Sequence, residues 1–448
     1  MTFDLSVTDG TVVSPHGRRR AHVHVKSGKI VEVGGEARPA LHTIDATGLL
    51  VLPGMVDTHV HLMDPGPTDR EDLPTGTRAA AARGVTTIVE HTHAHPVRTV
   101  DDLSAKVEHL SDRSNVDFGL AAHTWPDHVA DLEPLWQAGV AFFKIFTCTT
   151  HGVPGLGGEA LHRALEKIAS FGGSCLIHCE DEAITEEAEQ RLRAAGRTDG
   201  GVIIEWRNRQ AEEAAVEVVA AHAIETGVRA TIAHVSNPAV AAIIEQARAQ
   251  GADLAAEACP QYFALREDEV VELEALRKFT PPARARTDTD EAAMWELVRS
   301  GVLTHFSTDH APATLAQKAA GDICAAPFGL PGLDTTLPFL LDATSRGVIT
   351  VEDVVRLYSE APARRYGLYP QKGHLGPGAD ADLVLVDEAR AWTVTDDDII
   401  SKAGWSPYSG RRLVGGVAVT VLRGEVIATD GTAADERSGR FLPGPGAP

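Results

Sequence analysis

Cysteine, positive charge and long apolar runs are all scarce in this 448-residue chain. The five cysteines (Cys148, Cys175, Cys179, Cys259 and Cys324) are scattered, odd in number and without zinc-knuckle spacing. Free thiols are therefore expected rather than a disulfide framework. Lys and Arg number 41 against 63 Asp and Glu, a formal net charge of −22. That balance excludes the basic footprint needed by nucleic acid or an anionic membrane surface, and mainly favours solubility. No apolar stretch approaches the roughly 18 residues of a membrane span. The opening MTFDLSVTDG has neither the basic nor the apolar segment of a signal peptide, so a cytoplasmic location is expected. What the chain does hold in quantity is histidine, 20 residues, and their positions are informative.

The length suits a large barrel with one accessory domain. Residues 1–50 alternate short apolar segments with turns, as in AHVHVKSGKIVEVGG, and the tail repeats the pattern in ADLVLVD and VAVTVLRGEVIATDG. This period-two pattern predicts antiparallel strands. Neither end has enough strands for a stable sheet, so residues 1–50 and 375–448 are expected to share one β-sandwich domain. Between them, over 51–374, eight apolar strands alternate with Ala-, Glu- and Arg-rich helical stretches such as TGTRAAAARG and VAAIIEQARAQG. That is the arithmetic of an α/β fold, a (β/α)8 barrel. The Gly/Pro-rich end is expected to be loose.

Chemistry on such a barrel belongs at the C-terminal ends of the strands. The first strand ends in His59 and His61, which project to one face of an extended segment and can reach one point. Alone, such a pair is as readily an interior histidine pair as a metal site. Lys144 sits inside VAFFKIF. It is either a lysine escaping to the surface or a neutral amine that takes up carbon dioxide to become an anionic, two-oxygen ligand. His178 ends the fifth strand, His234 the sixth and Asp309 the eighth. Four histidines, one modifiable lysine and one carboxylate at the same rim form a binuclear set. Nitrogen and oxygen ligands without thiolate suit Zn²⁺, with Mn²⁺, Co²⁺ or Fe²⁺ as alternatives.

With these residues in place, the chain resembles the amidohydrolase superfamily, in particular the cyclic amidases: hydantoinase/dihydropyrimidinase, allantoinase and dihydroorotase. The resemblance runs through GMVDTHVHL, TGTRAAAARGVTT, FFKIF, IHCED, AHVSNP, TPPAR, STDHAP and GHLGPGADADLVLVD. It implies that His59, His61 and Asp309 bind the more buried of two divalent metals and that His178 and His234 bind the other. A carboxylated Lys144 would bridge them. It further implies that a bridging hydroxide opens a ring amide of a small-molecule cyclic amide, with Asp309 as acid and base. A homodimer or homotetramer is implied as well.

Departures from each member bear on the substrate. Dihydroorotases hold a carboxylate with an Arg, an Asn and a His where this chain has Met63, His93 and Ala313. Losing the Arg contact would cost about 1.5–3 kcal/mol, which disfavours an anionic ring unless His93, His95 or Arg98 substitutes. Hydantoinases carry a Tyr where this chain has Thr149, so the hydroxyl of Thr149 or Thr150 would have to serve as oxyanion donor. Thr280 replaces a ring-contacting Ser, and the GLPG loop beside Phe328 matches one that holds the ring N–H. Allantoinases share the style of residues 65–80 but not Met63 or the alanine-rich DHAPA. The run HTHAHP (91–96) is either a solvent-facing rim or a pocket lining that reads the ring substituent. Met63 and Phe328 would make one wall apolar and favour a neutral substituent. A ligand-depleted scaffolding relative is a rival reading, countered by the filled ligand set. A phosphotriesterase-like enzyme is another, countered by the flanking β-domain, TPPAR and the GLPG loop.

Overall fold

The structure, a computed structural model, describes residues 2–448. Strands β1 (Phe3–Ser14), β2 (Gly17–Lys26) and β3 (Lys29–Val33) form an antiparallel meander, and β1 also pairs in parallel with β4 (Ala40–Asp45) and β5 (Leu50–Pro53). The inward positions Ala21, Val23 and Val25 of β2 explain why this segment is a half-buried strand.

The chain then builds the barrel from β6 (Met55–Val60), β7 (Val85–Glu90), β8 (Asp117–Leu120), β9 (Ala122–His123), β10 (Phe143–Phe146), β11 (Ser174–His178), β12 (Arg229–Ile232), β13 (Leu254–Ala258) and β14 (His305–Phe306). All pairings are parallel, in runs β6-β7-β8 and β9 through β14. The third barrel strand is broken at Ala121, whose N–H donates to the Glu90 carbonyl at 3.1 Å, while the N–H of Ala122 donates to Phe142 at 3.1 Å. One half thus pairs with β7 and the other with β10. Closure comes where Val60 meets His310, with the His61 N–H donating to the His310 carbonyl at 2.8 Å. Every residue of β6, β7, β10, β11 and β13 is buried, as expected for strands covered on both faces. Helices cover the outside, capped as their sequences dictate: Asp72 accepts from the Thr75 N–H ahead of Leu73–Ala82.

The tail returns as β15 (Leu383–Thr393), β16 (Arg412–Leu422), β17 (Glu425–Thr429) and β18 (Thr432–Ala433). These join the first strands in one nine-stranded sheet, β5 lying between β1 and β15. The sheet holds its own apolar cluster around Val23, Val25, Val51, Leu383 and Leu385. The expected fold class, an α/β barrel with a β domain drawn from both ends, is the one observed.

The Gly/Pro-rich end is not loose. Phe118 donates its N–H to the Arg440 carbonyl at 2.9 Å, and Leu442 donates back to Phe118 at 2.8 Å. A Cβ on Gly444 would meet the Val140 carbonyl oxygen at 2.0 Å, so glycine here permits close contact rather than motion. Nearby, the buried Lys372 ammonium reaches Asp117 at 2.6 Å, Asp382 at 2.7 Å and Asp380 at 3.0 Å, joining a barrel strand to the tail. All five cysteines are free. Among the described residues, no helix is long and apolar enough to cross a membrane.

Candidate metal centre and substrate pocket

His59 and His61 leave the end of β6 with their rings 5.2 Å apart at 76°. Each has one nitrogen fixed. His59 Nδ1 lies 2.7 Å from Glu257 Oε1, and His61 Nδ1 donates to the His91 carbonyl at 3.2 Å. Both Nε2 atoms are thereby aimed at Asp309 Oδ1, at 3.2 and 3.3 Å. Lys144 Nζ lies 3.3 Å from His59 Nε2. His178 Nδ1 is 3.0 Å from His234 Nε2, and the His59 and His234 rings are 5.5 Å apart. The structure thus brings together all six side chains expected at the rim: His59, His61, Lys144, His178, His234 and Asp309.

Burial, followed by neighbouring Lys144 and imidazoles, depresses the pKa of His59, and burial dominates likewise at His234. Neutral imidazole is the metal-binding form. Burial also pulls the Lys144 ammonium well below its usual range, against the opposing pull of Glu257 and Asp309. The donor set fits a pair of divalent cations. Lone pairs converge from five strands, a thiolate is absent from the group, and His234 Nδ1 and Glu257 Oε2 are buried without partners. Two of the six residues adopt left-handed backbone, His234 at φ 36° and Asp309 at φ 50°. Such non-glycine conformations concentrate where the surroundings impose a geometry.

A cavity of about 170 Å³ opens directly above Asp309. It is smaller than the roughly 300–1,000 Å³ typical of drug-sized ligands, so a single small ring is the natural occupant. Met63, His93, Thr280 and Phe328 line it, as does Ala311. Thr280 donates its hydroxyl to Glu180 Oε2 at 2.7 Å. Thr149 is not brought in. Its backbone N–H donates to Glu182, its hydroxyl accepts from Gly155 at 3.2 Å, and it faces solvent. The reason is the tight Thr150–Val153 turn, which swings His151 over the cavity instead, at φ 54°. His151 stacks on His93, ring centres 4.8 Å apart. Thr150 is buried against Arg207. Of the HTHAHP run, His91 is buried, His93 lines the cavity and His95 is exposed.

The sequence alone does not single out Arg70, Glu257, Glu180, Arg207 or His151. Arg70 lines the cavity and donates to the Pro312 carbonyl at 3.0 Å and the Phe328 carbonyl at 3.3 Å. Glu257, inside β13, also accepts from the His234 backbone N–H at 3.0 Å and so ties the two histidine groups together. Glu180 accepts from His178 Nε2 at 2.7 Å and pairs with the buried Arg207 at 3.2 Å. Burial opposes its ionisation, but Arg207, His178 and Thr280 outweigh burial and hold its carboxyl at about 2. Glu257 was within reach of the strand-end rule, since an acid in an apolar strand stands out. Arg70 and His151 lie in loops whose path no local pattern reveals.

Comparison with known proteins places this architecture. The Amidohydrolase family matches residues 50–426. An allantoinase of Rubrobacter xylanophilus is 35% identical over 447 residues, covering 98% of this chain and 97% of its own. An allantoinase of Escherichia coli K12 is 32% identical over 436 residues, 95% of each chain. Among solved structures, the L-hydantoinase (dihydropyrimidinase) of Arthrobacter aurescens superposes with a TM-score of 0.94 at 30% identity, covering 99% of this chain and 100% of that one. A D-hydantoinase superposes at 0.91 with 28% identity, covering 98% of each chain.

Proposed function

Because the chain belongs to the amidohydrolase family, we propose that it hydrolyses a ring C–N bond of a cyclic ureide, a hydantoin ring with a neutral polar substituent such as allantoin. The observation that carries this reading is the convergence of six donor side chains from five strand ends at the floor of one small cavity. The family implies a divalent metal centre, and the donor set supports two ions, Zn²⁺ foremost. When bound, such ions supply Lewis acidity and a water acidified toward neutral pH.

The protein's own residues do the rest. Lys144 is buried next to imidazoles without a paired carboxylate within hydrogen-bond reach, which disfavours an ammonium. Its neutral amine adds to carbon dioxide, forming an N–C bond and releasing one proton, and the resulting carbamate is an anionic two-oxygen ligand. Asp309, 13% exposed at the cavity floor, takes the proton released by the attacking water and hands it to the leaving ring nitrogen. Among the described residues Arg70 is the one Lys or Arg lining the cavity, and it donates to two backbone carbonyls. With Met63 and Phe328 forming apolar wall, this supports a neutral substituent over a carboxylate. The allantoinase relatives support the same choice.

The test is a substrate panel on Zn²⁺-loaded protein: allantoin, hydantoin, 5-substituted hydantoins, dihydrouracil and dihydroorotate. Ring opening of allantoin or a neutral 5-substituted hydantoin should be fastest. Faster opening of dihydroorotate would overturn the substituent argument, and inertness toward the whole panel would overturn the function.

A further inference from the structure

His91 follows β7 directly, and its ring is 1% exposed. Neither of its nitrogens has a hydrogen-bond partner. Its neighbours are differently placed: His59 is held by Glu257, and His61 by the carbonyl of His91 itself. Sealing an imidazole from water without partners leaves one donor and one acceptor unsatisfied, which is costly for each. A core residue of that shape would cost less as a hydrocarbon, so the position asks for a ligand.

The surroundings indicate which. The His91 ring centre lies 4.6 Å from the His59 ring and 4.6 Å from the His61 ring. One nitrogen of each of the three lies within 4.8 Å of the other two, all buried. The remaining close rings are Phe142, 5.6 Å away, which offers no lone pair, and His123, 6.3 Å away, whose Nε2 is taken up by His93 at 3.1 Å. We propose that His91 is a further ligand of the divalent cation held by His59 and His61, giving that cation three imidazoles from two adjacent barrel strands. The proposal rests on the metal-centre reading above and extends it.

Three neutral nitrogen donors add no charge and tilt selection toward Zn²⁺ and Co²⁺ over oxygen-seeking ions such as Mn²⁺. Metal on one nitrogen also removes one of the two unsatisfied groups on the ring.

The test compares wild type, His91→Phe and His91→Asn by metal content, chelator competition and the visible spectrum of the Co²⁺ form. Thermal melting of each metal-free protein controls for folding. Losing a direct ligand should exceed the 10–100-fold typical of an outer hydrogen-bond partner, so tight-site affinity should fall by at least about 100-fold. The Co²⁺ bands should shift. In wild type loaded with a single equivalent of Co²⁺, X-ray absorption should count three imidazoles, a measurement that holds even if the variants fail to fold. Unchanged affinity and spectrum in a folded His91→Phe protein, or two imidazoles by X-ray absorption, would overturn the proposal. Wild type that takes up no stoichiometric metal would overturn the centre itself, a distinguishable failure.

Discussion

Glu257 is the most informative residue to perturb, because one buried carboxylate steadies both histidine groups. It receives His59 Nδ1 at 2.7 Å and the His234 backbone N–H at 3.0 Å, and is fully buried. Burial pushes the Glu257 carboxyl up to about 8 in the metal-free chain, and divalent cations bound beside it would draw it back into the ionised range. In that metal-loaded state, replacing it with Gln keeps the shape and one acceptor but removes the charge. A hydrogen bond to an ionised group contributes about 1.5–3 kcal/mol against about 0.5–1.5 for a neutral pair. The difference, about 1–1.5 kcal/mol, weakens metal affinity about 5- to 15-fold. Glu257→Ala removes both contacts and should approach the upper end of the 10–100-fold range for such supporting groups. Competition with a chromophoric chelator at fixed ionic strength reads both values, and urea unfolding of the metal-free proteins separates binding from folding. Wild-type affinity in folded Glu257→Ala would refute the idea that this carboxylate aims the imidazoles.

Other consequences are equally direct. Lys144→Ala should lower kcat by about 10²-fold or more, and acetate or formate in the assay should restore part of it while leaving wild type unaffected. Lys372→Met removes the cation shared by three buried carboxylates, leaving Asp117 with Arg423, Asp380 with Lys29 and Asp382 with no cation, and should cost about 3 kcal/mol in urea unfolding, with metal content unchanged per folded chain. Glu180 titrates near 2 in the folded chain instead of the usual 4.5. Its stabilisation is therefore present above 4.5 and lost as pH falls to 2. In metal-free protein, the stability gap between wild type and Glu180→Gln should shrink across that window, as followed by acid unfolding.

The barrel was legible because strands buried on both faces read as short apolar runs, and any polar side chain inside one is conspicuous. His59, Lys144 and His178 were found that way, and Glu257 could have been. The break at Ala121 left no trace, because VDFGLAAH is as apolar as an unbroken strand. Thr149 and Thr150 could not be separated from His151 by composition, since which of three successive side chains faces inward depends on one tight turn. Arg70 is fixed by carbonyls from the far end of the sequence, Pro312 and Phe328, which only the fold brings near. At the C-terminus, a Gly/Pro-rich composition reads as freedom, whereas glycine there serves contact. Gly444 sits where no larger residue fits.

The docked C-terminus also bears on biosynthesis. The Arg440 N–H is bonded to Asp117 across 323 positions, and β5 finds its partner β15 only after the whole barrel has been made. Until residues 383–442 have been made and docked, the β5 edge and the barrel strand β8 therefore stay uncovered. Truncations that remove residues 439–442 should expose β8 and impair yield before they touch the chemistry.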